Sequence, residues 1–119
     1  MARIKDKTTG KIKNNGCRVR KDLRLAIHLR DEFTCVYCGE NLHHADPQDV
    51  TLDHLTCQVD GGTNDPANLV TACRHCNCTR RDTRWTTFAS TEAKKIIRRN
   101  IRRSIKNHRK LAKEIIEGK

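Results

Sequence analysis

Two Cys-x-x-Cys pairs, "CVYCG" at residues 35–39 and "CRHCN" at 73–77, constrain this chain more than any other feature. Each pair presents two sulfurs from a tight turn, and two such turns complete a tetrahedron around Zn²⁺ through Cys35, Cys38, Cys73 and Cys76. The pairs stand farther apart than the roughly 15–20 residues of a simple zinc ribbon, so the segment between them encloses structure of its own. A four-sulfur site has no open position for substrate, which makes its metal structural. Buried reduced cysteines or a redox pair are the competing readings. The chain has seven cysteines; the odd count and a reducing cytosol argue against a closed disulfide framework, and Cys17, Cys57 and Cys78 fall outside the pattern.

A metal is needed because the core is thin. The 119 residues are 35% hydrophobic, with Phe33, Tyr37, Trp85 and Phe88 as the only aromatics. That suffices for one small domain and little more. Structural zinc contributes about 10–16 kcal/mol in zinc-finger peptides, comparable with the whole stability of such a domain.

Charge is distributed unevenly. The net charge of +11 divides into +6 over residues 1–32, −3 over 33–90 and +8 over 91–119. Basic flanks around a mildly acidic centre suit a polyanion, and nucleic acid is the commonest one inside cells; solvated charge on helix surfaces is the plainer alternative. No apolar run is long enough to span a membrane, and "MARIKDKTTGKIKNNG" lacks the apolar segment of a secretory signal. The expectation is a soluble, cytoplasmic protein.

Residues 1–18 read as a flexible basic arm, 19–90 as the zinc-centred domain and 91–119 as a basic amphipathic helix. Within the domain, "VRKDLRLAIHLRD" sets Leu23, Ala26, Ile27 and Arg30 at helical spacing. "VTLDH" and "LVTAC" read as short strands separated by the turn-rich "QVDGGTNDPAN", and "CRHCN" leads into a short helix. From 91 to 117, Ala93, Ile97, Ile101, Ile105, His108, Ala112 and Ile115 recur every three or four positions, predicting one long helix.

"LDH" at 52–54, "GG" at 61–62, "NL" at 68–69 and "CRHCN" at 73–77, with the lead-in "LRLAIHLRDEFTCVYCG", resemble the zinc-containing HNH endonucleases in order and spacing over about residues 20–85. The resemblance implies an α+β, ββα-metal fold with flanking helices, of the small stand-alone type found in bacteria and phages. It implies His54 as general base, Asp53 and Asn77 as ligands of a divalent cation (Mg²⁺ or Mn²⁺), and Asn68 as the residue that pins the loop and so orients His54. Arg80 stands where members often have lysine, and with Arg81 and Arg84 it is expected to contact DNA phosphates. Asn77 replaces a histidine of many members, and Cys57 a common proline.

These residue types suit the chemistry. Phosphodiester hydrolysis needs a base to activate water and a cation to stabilise charge on the phosphoryl and leaving oxygens. Histidine, with a reference pKa near 6.5, accepts a proton at neutral pH, and carboxylate and amide oxygens suit Mg²⁺. Taken singly, Asn68 and Asn77 are also common turn and cap residues. The expected activity is metal-dependent DNA cleavage, by nicking or double-strand cutting; the alternative is a non-catalytic, zinc-dependent nucleic-acid-binding module. DNA is the expected partner, with no membrane; a homodimer or a larger phage or bacterial complex is a further expectation, supported mainly by the isoleucine stripe of the last helix.

Overall fold

The computed structural model of the protein describes residues 19–57 and 61–118. The basic arm expected over 1–18 lies outside them. Helix α1, Lys21–Arg30, forms where the apolar spacing predicts it, and Leu23, Ala26, Ile27 and Arg30 are all buried. Asp22 in its first turn complements the helix dipole and pairs with Arg109 at 2.9 Å.

The first knuckle follows. The N–H of Cys35 bonds the carbonyl of Glu40 at 2.9 Å and that of Gly39 bonds the carbonyl of Cys35 at 2.8 Å. Gly39 takes φ +81°, a conformation that L side chains rarely adopt, which is why the knuckle ends in glycine. The N–H of Val36 then reaches the carbonyl of Thr71 at 3.1 Å and docks the knuckle on the sheet.

The sheet is an antiparallel ribbon of β1, Val50–His54, and β2, Leu69–Cys73. Its register runs from Val50 opposite Cys73 to His54 opposite Leu69, so one end of the ribbon carries the second knuckle and the other the Asp53–His54 pair. Between the strands, Gly61 has φ +92°. At Gly62 a Cβ would come within 1.7 Å of the Thr56 carbonyl oxygen, so the second glycine is required by close approach of backbone.

Helix α2, Arg74–Arg80, begins at Cys73, whose sulfur accepts from the Cys76 N–H at 3.4 Å. The short α3, Trp85–Phe88, leads to α4, Thr91–Arg102, capped by the Ser90 hydroxyl on the Ala93 N–H at 3.1 Å. α4 buries Ala93 and Ile97 with Val36, Leu55, Val70 and Ala89. On the other side of the ribbon, Leu23 and Ile27 of α1 pack with Leu69, Leu52 and Ile105.

The single helix expected over 91–117 is two. The chain is extended at Arg103 (φ −77°, ψ 138°) and restarts as α5, Lys106–Ile116. One straight helix of that length would run about 40 Å at 1.5 Å per residue and carry its second half off a small body. By turning back, the chain buries Ala112 and seats Ile105 beside α1. Nothing in the local propensities of Arg, Arg and Ser marks the break. Among the described residues no helix is long and apolar enough to cross a membrane.

Candidate metal centre and active site

The register and the two knuckles bring the four paired cysteines together. The sulfurs of Cys35, Cys38, Cys73 and Cys76 all lie within 4.8 Å of one another, with Cys38 and Cys73 at 3.9 Å. Zinc–sulfur bonds of about 2.3 Å in a tetrahedron put sulfurs about 3.8 Å apart, so the cluster fits Zn²⁺. The knuckles share one contact: the N–H of Cys38 points to the Cys35 sulfur at 3.5 Å, as that of Cys76 points to Cys73. Burial raises the pKa of the Cys76 thiol and lifts that of Cys38 to about 11; at Cys35 burial is opposed and outweighed by surrounding N–H groups, which lower its pKa. Four clustered thiolates need a cation to hold them deprotonated. Cys57 and Cys78 lie outside the cluster, and His75 is an exposed spacer.

At the opposite end of the ribbon, Asp53 is buried and turned toward α2. Its carboxylate oxygens receive Arg80 Nη1 at 2.7 and 2.8 Å, and the Tyr37 hydroxyl donates to Oδ2. Burial raises the Asp53 pKa, against the opposing influence of Tyr37 and Arg80. The same burial, with the Asp53 charge beside it, raises the Tyr37 pKa and keeps it a donor.

Asn77, half-buried on α2, donates its Nδ2 to Thr51 Oγ1 at 3.0 Å and to the Leu52 carbonyl at 3.2 Å. The amide nitrogen is thereby anchored to β1, leaving Oδ1 on the other side of the group. Thr51 and Asp53, two apart on a strand, share a face. Asp53 and Asn77 carry oxygen ligands of the kind a hard divalent cation takes, although Arg80 already balances the Asp53 charge.

His54, half-buried, places Nε2 2.7 Å from Asn64 Oδ1. Asn68 closes the loop behind it: Oδ1 accepts the Thr56 N–H at 2.8 Å, and Nδ2 donates to the carbonyls of Thr56 at 3.1 Å and Thr63 at 2.8 Å.

The expectation that Arg80 contacts DNA is corrected. Its side chain is 2% exposed, and beyond Asp53 it donates to the carbonyls of His54 (3.0 Å), Leu55 (2.8 Å) and Thr83 (2.8 Å). A guanidinium filling four backbone and carboxylate contacts holds the strand end and offers nothing outward. Arg81 and Arg84 are exposed, and Arg84 lines a cleft with Leu55, Thr56 and Trp85. Nothing in the sequence marks Tyr37 or Asn64 plainly as a site residue. Tyr37 had only its place inside a knuckle as a signal; Asn64 had none beyond a turn-rich loop.

Residues 35–83 match the HNH endonuclease family model, a span that takes in both knuckles, both strands and α2. Together with the two-stranded antiparallel sheet and the clustered cysteines, the match is consistent with an HNH domain of ββα-metal architecture over this segment. No curated protein and no solved structure matches the chain.

Proposed function

We propose that this protein is a metal-dependent DNA endonuclease in which His54 is the general base. The observation that carries the reading is the His54–Asn64 contact at 2.7 Å in a segment that matches the HNH family. With Asn64 Oδ1 as acceptor, the imidazole carries its proton on Nε2 and keeps the Nδ1 lone pair to take a proton from water. His54 takes a proton from water, the hydroxide attacks phosphorus, and the bond from phosphorus to the 3′ oxygen breaks; the leaving oxygen takes a proton from solvent, giving 5′-phosphate and 3′-hydroxyl ends. Asp53 and Asn77 would hold a divalent cation, Mg²⁺ or Mn²⁺, which supplies electrostatic stabilisation at the phosphoryl and leaving oxygens. Asn68, through its three bonds across the loop, keeps His54 and Asn64 in register.

Exposed cations support a DNA substrate. Arg81 and Arg84 follow the C-terminal end of α2, and Lys106, Lys110 and Lys113 on one face of α5 line a groove whose far wall includes Pro66, two residues from Asn68. Zinc in the cysteine cluster is structural in this reading.

A second reading, a zinc-stapled nucleic-acid-binding module without catalysis, draws on the Asp53–Arg80 pair, which already neutralises the carboxylate a catalytic cation needs. Cleavage of supercoiled plasmid separates the two. Wild-type protein is expected to nick or linearise it with Mg²⁺ or Mn²⁺ and not with EDTA, and zinc-loaded His54→Ala of verified fold is expected to lose at least about a hundredfold in rate. DNA binding without cutting in any of these conditions favours the module; equal cutting by the variant removes His54 from its role.

A further inference from the structure

Tyr37 is the residue of the first knuckle that reaches the other end of the ribbon. It stands between Cys35 and Cys38, and its backbone N–H lies toward the Cys35 sulfur. Its ring meets Phe88 edge-on with centroids 5.1 Å apart, and it packs against two core clusters: the one around the cysteines and the one that holds Val70 and Ile97. Its hydroxyl ends on Asp53 Oδ2. One side chain therefore touches the cysteine centre through its backbone and the Asp53 carboxylate through its tip.

That arrangement has a physical consequence. Arg80 approaches both Asp53 oxygens through the single atom Nη1, which leaves the carboxylate able to pivot about that contact. A second donor, on Oδ2 from a different direction, fixes the carboxylate plane. Since the donor rides on the knuckle, its position depends on the knuckle being closed around its metal. Removing a group that hydrogen-bonds a metal-binding carboxylate typically weakens ion affinity about 10- to 100-fold.

We propose that Tyr37 is a positioning residue through which the four-cysteine centre sets the orientation of the Asp53 carboxylate offered to a divalent cation. The proposal rests on the nuclease reading above, in which Asp53 holds that cation. It assigns the knuckle a part in the active site beyond stapling the fold.

The test uses the full chain and Tyr37→Phe, which keeps the ring and removes the hydroxyl. Zinc content is measured by elemental analysis, Mn²⁺ binding by electron paramagnetic resonance, and the cysteine site is observed by replacing Zn²⁺ with Co²⁺. The variant is expected to keep one zinc per chain and bind Mn²⁺ about 10- to 100-fold more weakly. In the Co²⁺ protein, adding Mg²⁺ should shift the thiolate-to-cobalt absorption of wild type and leave that of the variant unchanged. A tyrosine that only packs would move neither quantity.

Unchanged Mn²⁺ affinity in zinc-loaded Tyr37→Phe overturns the proposal. Should the variant fail to take up zinc, the Mg²⁺ titration of wild-type Co²⁺ protein decides: no shift overturns it, and a saturable shift supports it. Wild type that binds Mn²⁺ and cuts DNA beside an unaltered variant refutes Tyr37 alone, whereas wild type that binds no Mn²⁺ and cuts nothing refutes the nuclease reading with it.

Discussion

At the knuckle end of the ribbon, Val50 opposite Cys73, four sulfurs converge; at the far end, His54 opposite Leu69, two buried arginines take their place. Arg30 is fully buried, paired with Asp31 through Nε at 2.8 Å and Nη2 at 3.2 Å, and donates to the carbonyls of Pro66 (2.9 Å) and Leu69 (2.7 Å). Arg80 does the same for His54 and Leu55 from the other strand. Both ends solve one problem. A two-stranded ribbon is only marginally stable alone, and its terminal carbonyls lack partners. One end is closed by a four-cysteine cluster that fits zinc and the other by guanidinium groups, whose several donors in a fixed fork suit scattered carbonyls.

The comparison predicts unequal losses. Stripping zinc with a chelator should remove a contribution on the order of 10 kcal/mol and unfold the domain, seen as loss of helical circular dichroism. A chelated chain that kept its helices would show that the arginine end suffices. Next in size, Arg30→Met leaves the Asp31 carboxylate buried without its cation, which costs about 3–5 kcal/mol by urea unfolding of zinc-loaded protein. Adding Asp31→Asn should recover part of that loss, because the amide oxygen can still accept the Thr71 N–H now bonded at 2.8 Å. A single-variant cost below about 1 kcal/mol would mean that the clamp is decoration.

The smallest effect separates the two ends by pH. His28, on α1, is buried with Nδ1 2.8 Å from Thr71 Oγ1, and burial, then the charges of Arg24 and Arg30, lowers its pKa to about 4. Unfolded, a histidine titrates near 6.5. Below that pH the unfolded chain binds a proton that the folded chain refuses, so stability falls as pH drops from about 6.5 to about 4 and then levels. By pH 5 the loss is on the order of 2 kcal/mol. Acid also attacks zinc thiolates, but His28→Gln shares that weakness. Wild type should therefore lose about 2 kcal/mol more than the variant between pH 7 and pH 5, and parallel losses would assign acid sensitivity to the cysteine end alone.

The two ends also differ in how far a linear sequence reveals them. Each knuckle is a local object: two cysteines three apart and a following turn specify the geometry, and the enclosed "LDH", "GG" and "CRHCN" stretches place both strands and α2. Arg30 was legible as a residue on the buried face of α1, though not as a clamp, because its carbonyl partners lie 36 and 39 residues away. Arg80 misled for the same reason. An arginine near a candidate site suggests phosphate, and only the register that sets Asp53 and the end of β1 against α2 turns it inward.

By itself the sequence determined the four-cysteine staple, the two strands, the helix that carries Asn77 and the candidate positions Asp53, His54 and Asn68, since each follows from ligand spacing, alternation or motif order. Tertiary structure alone decided that the C-terminal stripe breaks at Arg103, that Arg80 belongs to Asp53, that Asn64 meets His54 and that Tyr37 joins the two ends of the ribbon. Those outcomes depend on which surfaces must be buried together and which polar groups are left to satisfy once they are, and neither is a property of any short stretch of chain.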